Sequence, residues 1–357
     1  MVAPLKFGAD PEAFITDGKK IFGSERVIPE GGISAWDQGP KIVRDGVQIE
    51  LQLRPSDRIE VLGSDITSVF NSLKRRLAQQ GLKVSFDPVV DITKEELYAL
   101  SEKSREFGCA VSYNLYGLPG PEADPSVYLK RSAGGHIHMG LGKPIFDPES
   151  KQGEGEDVYY EVDFRKDVVP LMDAIVGNTC VMLDRDPNAV ERRKNYGKAG
   201  EYRLPQWGLE YRTLSNFWLR SYQLFGMVMG LSRLAVSVLH TSLMKGEPVH
   251  QQLLDKIDFD KMVRAIQTND FDLAQDNWRV VRDFIDRNGV YLGDECGLNP
   301  HLLDNFEYFV KKVREAGLSY WFKQDPMESW TSGGGISWPN YLRYRVDNPV
   351  KSWNSGF

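Results

Sequence analysis

The stretch GGHIHMG at residues 134–140 places two histidines, His136 and His138, two positions apart between glycines. Its alternation of polar and apolar residues predicts a β-strand, in which side chains at i and i+2 point to the same face, roughly 7 Å apart. Glycines weaken a strand, so their presence here indicates close approach of a ligand or of backbone. We therefore expect a strand with one apolar face and one face that carries both imidazoles.

Other short segments show the same alternation: FGADPEAF (7–14), VQIELQL (47–53), EYR (201–203) and LEYR (209–212). Their polar faces carry acids and arginines, with little of the threonine and lysine of an ordinary exposed strand: Asp10, Glu12, Glu50, Glu201, Arg203, Glu210 and Arg212. For one such strand, exposure to solvent is the default explanation. The agreement of several segments favours a functional cleft, with Glu210 and Arg212 on its solvent-facing side.

The order of the segments predicts an α+β fold. Strand-like runs alternate with helices over residues 1–216, whereas residues 217–320 have a nearly all-helical pattern. We predict one domain over residues 1–330, built as a curved, mainly antiparallel sheet with the cleft on its concave face and helices on its convex face. Residues 331–357 are expected to form an irregular tail. Helices are predicted over 63–81, 93–108, 165–181, 250–268, 271–288 and 301–317, and loops over 117–130 and 142–157.

Composition excludes some classes of protein. The net charge of −6 gives no sign of binding to nucleic acid or to an anionic membrane. The N-terminus reaches Asp10 before an apolar signal segment can form, and the apolar run 224–239 carries Arg233 and fits a buried helix better than a membrane span. The cysteines are odd in number and widely spaced, which argues against a disulfide framework: Cys109, Cys180 and Cys296. We expect a cytoplasmic protein.

The residue types of the cleft favour magnesium or manganese over zinc. Zinc would need further histidine or cysteine ligands nearby, but the other histidines lie in the helical half and no cysteine pair has ligand spacing. Carboxylates dominate instead, and hard oxygen ligands select Mg²⁺ or Mn²⁺.

Cations adjoin these acids. Arg203 and Arg212 lie on the cleft strands. The predicted loop ERRKNYGKAGEYR (191–203) contains further basic residues: Arg192, Arg193, Lys194 and Lys198. Metals flanked by arginines are typical of phosphoryl transfer, although this loop taken alone is explained as well by a solvated turn. Neither a P-loop nor a Rossmann glycine motif is present. A nucleotide would therefore be held by the sheet face and the metals, with phosphate contacts from Arg192, Arg193 and Lys198.

The segments FGADPEAFI, VQIELQLRPS, GGHIHMGL, ERRKNYGKAGEYR and GLEYRTLSNFW together resemble the phage-type COOH–NH2 ligases of type 2. These are amidoligases of the glutamine synthetase and glutamate–cysteine ligase superfamily, and the resemblance covers residues 5–240. It implies a catalytic domain like that of glutamine synthetase, in which divalent metals bridge the phosphates of ATP. This sequence departs from the commoner pattern by having Asp10 as the first acid and Pro11 between the two acids.

The resemblance implies roles for individual residues. Glu12 and Glu50 would hold one metal, while Asp10, His136 and Glu210 would hold a second. His138 would contact the nucleotide, and Arg203 and Arg212 would contact the transferring phosphoryl group.

The implied reaction is ATP-dependent joining of a carboxylate to an amine through an acyl phosphate. Positioning and charge neutralisation suffice for this chemistry, and no serine or cysteine nucleophile is evident. Two rival hypotheses are a metal-dependent hydrolase, which would act without ATP, and a catalytically silent binding or virion-associated protein. The substrates are not readable from the sequence and could be small molecules or peptides. Relatives in the superfamily form rings or dimers, so a homo-oligomer is compatible. Trp207, Trp218 and Trp321 are candidate pocket walls, although core packing is the simpler expectation for each.

Overall fold

The computed structural model of the 357-residue chain describes residues 6–105, 112–120, 128–140, 164–290, 301–317 and 326–331. Several predictions fall outside these residues: the loop 142–157, residues 121–127 of the loop 117–130, the tail after Thr331, and the side chains of Cys109, Cys296 and Trp321.

The strands alternate with helices along the first two thirds of the chain. They are β1 (Lys6–Ala9), β2 (Glu12–Thr16), β3 (Ile21–Phe22), β4 (Ile33–Ser34), β5 (Lys41–Asp45), β6 (Gln48–Gln52), β7 (Lys83–Ser85), β8 (Val89–Asp91), β9 (Tyr113–Asn114), β10 (Lys130–Ser132), β11 (Ile137–Gly140), β12 (Glu201–Arg203) and β13 (Gly208–Tyr211).

These strands form a curled, antiparallel half-barrel. One sheet has the order β1-β11-β13-β12-β9, a second has the order β3-β2-β6-β5-β4 with β7 also paired to β2, and β10 pairs with β8. Only Asp10 and Pro11 separate β1 from β2, so the chain passes directly from the first sheet into the second. The amide of Glu12 also donates to the carbonyl of Gly134 at 2.8 Å, which ties the two sheets together just before β11.

The helices lie mainly in the second half. They are Ile59–Ala78, Lys94–Ala99, Glu102–Arg105, Asn188–Asn195, Tyr222–Lys245, Val249–Leu254, Phe259–Thr268, Phe271–Asn288, Leu302–Ala316 and Pro326–Thr331, with 3-10 turns at Ser24–Arg26 and Asn216–Arg220. A further helical run consists of the π-helical segment Phe164–Val168, the α-helical segment Val169–Met172, the π-helical segment Asp173–Gly177 and the α-helical segment Asn178–Cys180.

The α+β prediction is confirmed, and so are most of the helices. Phe271–Asn288 has the predicted bounds, and the side chain of Thr93 caps a helix with Glu96 in the predicted capping box. Three predicted bounds were wrong. The first long helix begins at Ile59 rather than residue 63, the helix after Thr93 ends at Ala99, and the predicted helix 250–268 is interrupted between Leu254 and Phe259.

The apolar faces of the cleft strands are buried against helices. Ile137, Met139 and Leu209 are fully buried in one cluster with Ile175 of the π-helical segment Asp173–Gly177 and Leu231 of the helix Tyr222–Lys245. The segment Tyr222–Ser242 is long and apolar enough to cross a membrane by length and composition, but 89% of its most apolar window is buried inside the protein. The prediction of a buried helix for this run therefore agrees with its packing.

Asp173 is a buried residue that links the π-helical segment Asp173–Gly177 to Tyr211 of β13 by a hydrogen bond. Its Oδ1 accepts a hydrogen bond from the hydroxyl of Tyr211 at 2.6 Å and lies 3.5 Å from Thr213 Oγ1. Burial raises the pKa of this carboxyl to about 7, although these hydrogen bonds oppose the shift. The folded protein therefore keeps a proton on Asp173 at a pH where the unfolded chain has lost it.

We expect Asp173→Asn to remove part of the pH dependence of stability. From about pH 4 to 7, wild-type stability falls relative to the variant by up to about 1.4 kcal/mol per pH unit, because only the folded state holds the proton. Above pH 7 the difference stays constant. Urea unfolding at pH 5 and pH 8 measures it, and a pH-independent difference would contradict the prediction. Asp258→Asn is the control, because the lowered pKa of this exposed carboxyl keeps it ionised across the range.

Candidate active site

Asp10 lies at the junction of β1 and β2, where both histidines of the first stretch reach it. His136 Nδ1 lies 3.0 Å and His138 Nε2 3.1 Å from Asp10 Oδ1. The two imidazoles thus face the same space, as the alternation predicts. Antiparallel pairing of β1 with β11 produces this arrangement, since it sets Gly8 directly opposite His138 and leaves room for the imidazole.

Glu210 completes this group from the neighbouring strand β13. It pairs in register with His138, and its Oε1 lies 3.5 Å from His136 Nδ1. Ligand atoms of Asp10, His138 and Glu210 all lie within 4.8 Å of one another. Three strands therefore bring two carboxylates and two imidazoles to one place.

Two arginines adjoin Glu210. Arg203 of β12 lies directly across from Glu210 in the strand pairing, and its Nη2 is 2.8 Å from Glu210 Oε1. Arg212 Nη1 is 3.4 Å from the same oxygen. The expectation that Glu210 and Arg212 face solvent was wrong, because their side chains are 7% and 0% exposed, whereas Arg203 is 28% exposed. The ring of Tyr196 covers part of Arg212, with 5.0 Å between the ring centre and the guanidinium carbon.

A second acidic group adjoins the first across the sheet junction. Glu12 of β2 is paired in register with Glu50 of β6. The side chain of Glu12 is buried, and its Oε2 accepts a hydrogen bond from the amide of Gly134 at 2.6 Å. Burial raises the pKa of Glu12 well above its ordinary value, and Asp45, Glu50 and Asp10 raise it further.

Asp45 is a site residue that the sequence analysis missed. It ends β5 just before the turn into β6, and the dipeptide Asp45-Gly46 is typical of a turn. Its carboxyl nevertheless adds negative charge beside Glu50, whose pKa is raised to about 8, first by burial and then by Asp10 and Asp45. Burial and Asp10 likewise raise the pKa of Asp45. The acids are therefore close enough to oppose one another's ionisation.

The histidines hold Asp10 in its charged form. Burial alone would raise the pKa of Asp10, but His138 and His136 together keep it well below its ordinary value. The two imidazoles differ from each other. Burial and Arg212 lower the pKa of His136, whereas Asp10 and the neighbouring glutamates overcome burial and raise the pKa of His138. His136 is thus the better neutral ligand and His138 the better cation.

The basic segment behind the site is helical up to Asn195 and a loop from Tyr196 to Gly200, so only its first half differs from the prediction. Arg192 and Arg193 lie on the helix Asn188–Asn195 and are buried. Arg192 donates to the backbone carbonyls of Thr213 at 3.0 Å and Arg212 at 3.3 Å, and Lys198 donates to the carbonyls of Pro119 and Gly120. These bonds make Arg192 and Lys198 structural supports of the site, and phosphate contacts from Arg192, Arg193 and Lys198 stay a prediction.

Tyr196 is a second residue that the sequence analysis missed. Its hydroxyl contacts His136 Nε2, and its ring lies under the guanidinium groups of Arg192 and Arg212, at 4.4 and 5.0 Å. The motif NYGKAG placed this tyrosine among basic residues, but nothing in the sequence indicates that it reaches a histidine sixty positions away.

Gly134 permits this contact. A Cβ on Gly134 would lie 2.6 Å from the hydroxyl oxygen of Tyr196 and closer still to His136 Nε2. The glycines before β11 are therefore required by protein atoms, as the sequence analysis expected of a close approach.

We expect Gly134→Ala to destabilise the protein by about 1–3 kcal/mol, because the added methyl group overpacks the Tyr196–His136 contact. Gly140→Ala is the matched control in the same segment, since the nearest atom to its Cβ would be the Lys6 carbonyl oxygen at an ordinary 3.5 Å. Urea unfolding of both variants tests this. Equal stability of the two would show that the contact around Gly134 is not tightly packed.

The tryptophans divide between core and surface. Trp218 is fully buried, as expected of a core residue. Trp207 is 45% exposed, so the expectation of core packing was wrong for it. Its ring lies 4.8 Å from the imidazole of His138, which places an aromatic surface at the rim of the site.

The donor set fits a divalent cation. Among the described residues, His138 Nε2 and Glu210 Oε1 are buried without a well-aligned hydrogen bond, although ion-pair partners lie within 3.1 and 2.8 Å. The fold therefore keeps these two atoms near charged partners without giving either atom a well-formed hydrogen bond. Carboxylate oxygens with one imidazole suit Mg²⁺ or Mn²⁺.

A comparison with protein families agrees with this chemistry. Residues 154–279 match the family described as phage phiEco32-like COOH.NH2 ligase-type 2. The resemblance to this ligase family is confirmed. The family is one of enzymes that join a carboxyl group to an amino group, and the matched segment contains the helix Asn188–Asn195, Arg203, Glu210 and Arg212.

The acids and histidines of the first 140 residues lie outside the matched segment, and their assignment rests on the geometry described above. A search of curated proteins found no match to the chain.

Proposed function

We propose that the protein is an ATP-dependent carboxylate–amine ligase that acts through an acyl phosphate. The observation that carries the proposal is the meeting of Asp10, His136 and Glu210 beside Arg203 and Arg212. Phosphoryl transfer requires little covalent chemistry from the protein and depends on positioning and charge neutralisation. This cluster offers both.

Two groups of residues would hold cations. Glu12 and Glu50 would hold one, with Asp45 adding charge beside them, and Asp10, His136 and Glu210 would hold another. Bound Mg²⁺ or Mn²⁺ would neutralise the phosphate oxygens and polarise the transferred phosphoryl group. The raised pKa values of Glu12 and Glu50 support the first group, because closely spaced buried acids favour a shared cation over mutual repulsion.

The reaction is proposed to have two steps. A carboxylate oxygen of the first substrate attacks the γ-phosphorus of ATP, the bond to the β–γ bridging oxygen breaks, and ADP leaves. The amine nitrogen of the second substrate then attacks the acyl carbon, inorganic phosphate leaves with the electron pair of its C–O bond, and the nitrogen loses a proton. Arg203 and Arg212 would contact the phosphoryl oxygens during the transfer.

The nucleotide is proposed to approach on the side of His138. Its raised pKa favours an imidazolium, which suits contact with phosphate oxygens. Trp207 offers an exposed ring beside it, against which a bound ligand could pack. Small-molecule or peptide carboxylates and amines remain the proposed substrates, in the cytoplasm of the host cell if a phage encodes the chain.

An ADP-release assay with the full-length protein tests the proposal. Pools of carboxylates and amines are supplied with MgATP, and mass spectrometry identifies an amide that appears in equal amount to ADP. Release of ADP that requires both substrates is the expected result. Hydrolysis of a substrate without ATP would favour the metal-dependent hydrolase, and absence of any turnover together with ligand binding would favour a silent binding protein.

A further inference from the structure

Tyr196 contacts two different parts of the site with one side chain. Its hydroxyl meets His136 Nε2, and its ring packs edge-on against the same imidazole with centroids 5.5 Å apart. The face of the ring lies 5.0 Å from the guanidinium carbon of Arg212. The side chain is 8% exposed, so a bulk water molecule does not compete freely for these contacts.

His136 uses its two nitrogens in opposite directions. Nδ1 faces the carboxylates of Asp10 and Glu210, at 3.0 and 3.5 Å, while Nε2 faces the Tyr196 hydroxyl. An imidazole that binds a cation does so through one nitrogen, and the hydrogen bond made by the other nitrogen fixes its tautomer and orientation. Tyr196 occupies that second position.

The position of Tyr196 is itself fixed. It follows the helix Asn188–Asn195, which Arg192 ties to the backbone after β13 through the carbonyls of Thr213 and Arg212. The guanidinium of Arg192 lies 4.4 Å from the ring centre of Tyr196. The ring therefore packs against two guanidinium groups, which restricts movement of its hydroxyl away from His136.

We propose that Tyr196 is a positioning residue that aligns His136 for a divalent cation and supports Arg212 against the phosphoryl group. The inference rests on the proposed function, because it assigns His136 to a cation site. The hydroxyl contacts His136 and the ring contacts Arg212, so one substitution can remove the first contact without removing the second. Tyr196→Phe removes the first and keeps the second.

Mn²⁺ binding to the full-length protein, measured by electron paramagnetic resonance without nucleotide, tests the proposal. Loss of a partner to a ligating histidine typically weakens metal binding 10–100-fold, and Tyr196→Phe is expected to raise the Kd for Mn²⁺ by roughly this factor. Tyr113→Phe is the control, because it removes the hydroxyl of a tyrosine that is 60% exposed on the edge strand β9. Its Kd should equal that of the wild type.

A double-mutant cycle shows whether Tyr196 acts through His136. In a His136→Gln background, Tyr196→Phe should cause no further loss of Mn²⁺ affinity, because the imidazole that it orients is gone. Unchanged affinity in the single variant, or additive losses in the double variant, would overturn the positioning role and leave the proposed function intact. A wild-type protein that binds no Mn²⁺ would overturn both.

Discussion

Arg212→Lys is expected to slow amide formation by roughly 10²–10³-fold, which corresponds to a lost transition-state contact of about 3–4 kcal/mol. Lysine keeps the positive charge but lacks the planar fork that binds two phosphoryl oxygens together. Nucleotide affinity should largely survive, because the cations would hold most of the phosphate charge. ADP release and amide formation under saturating MgATP measure the effect.

Stability should also change in this variant. Arg212 is fully buried and packs on the ring of Tyr196, so the shorter contact surface of lysine is expected to lower the melting temperature. This differs from the expectation for an exposed cleft residue, for which little change would follow. Near-normal turnover in Arg212→Lys would restrict Arg212 to a structural role and move the phosphoryl contact to Arg203.

Glu210→Gln, two residues before Arg212 and on β13, is the matched comparison. Its carboxylate is proposed to hold a cation, so its loss should weaken metal binding and, through the metal, nucleotide binding. The two variants should therefore fail differently, one in turnover and the other in affinity. If both lost nucleotide affinity equally, Glu210 and Arg212 would be acting as a single ion pair.

Removal of divalent cations is expected to weaken ATP binding by at least about 100-fold, equivalent to about 2.7 kcal/mol. Five carboxyl groups meet at the sheet junction, and the phosphates of ATP would add further negative charge to them: Asp10, Glu12, Asp45, Glu50 and Glu210. Arg203, Arg212 and the imidazolium favoured at His138 provide fewer positive charges than these acids and the triphosphate would carry together. Binding without a cation is therefore opposed by repulsion between like charges.

Calorimetric titration with a non-hydrolysable ATP analogue tests this in EDTA and in Mg²⁺. Mn²⁺ should restore binding as Mg²⁺ does, because both cations accept carboxylate and imidazole ligands. Equal affinity in EDTA and in Mg²⁺ would refute a metal-bridged nucleotide and indicate a conventional pocket instead. The cluster of five acids would then not be explained by metal-bridged binding of a nucleotide.

The sequence by itself determined which side chains share a strand face. A strand has a period of two residues, so the pairing of His136 with His138 and the opposition of polar to apolar residues follow from local geometry alone. Helix signals are equally local, which explains why the capping box at Thr93 and the bounds of Phe271–Asn288 agree with prediction. The ligand types also lead to the prediction of Mg²⁺ or Mn²⁺, which stays a prediction.

Only the tertiary structure decided how deeply each charge is buried and which distant residues meet. Asp10 and His136 are 126 positions apart, and their contact depends on the pairing of β1 with β11. Asp45 has the sequence of a turn residue, and Tyr196 has no periodic partner, so neither is marked as a site residue by local pattern. The burial of Arg212, which packs on the ring of Tyr196, was not predicted either, because period-two alternation specifies a face but not what covers it.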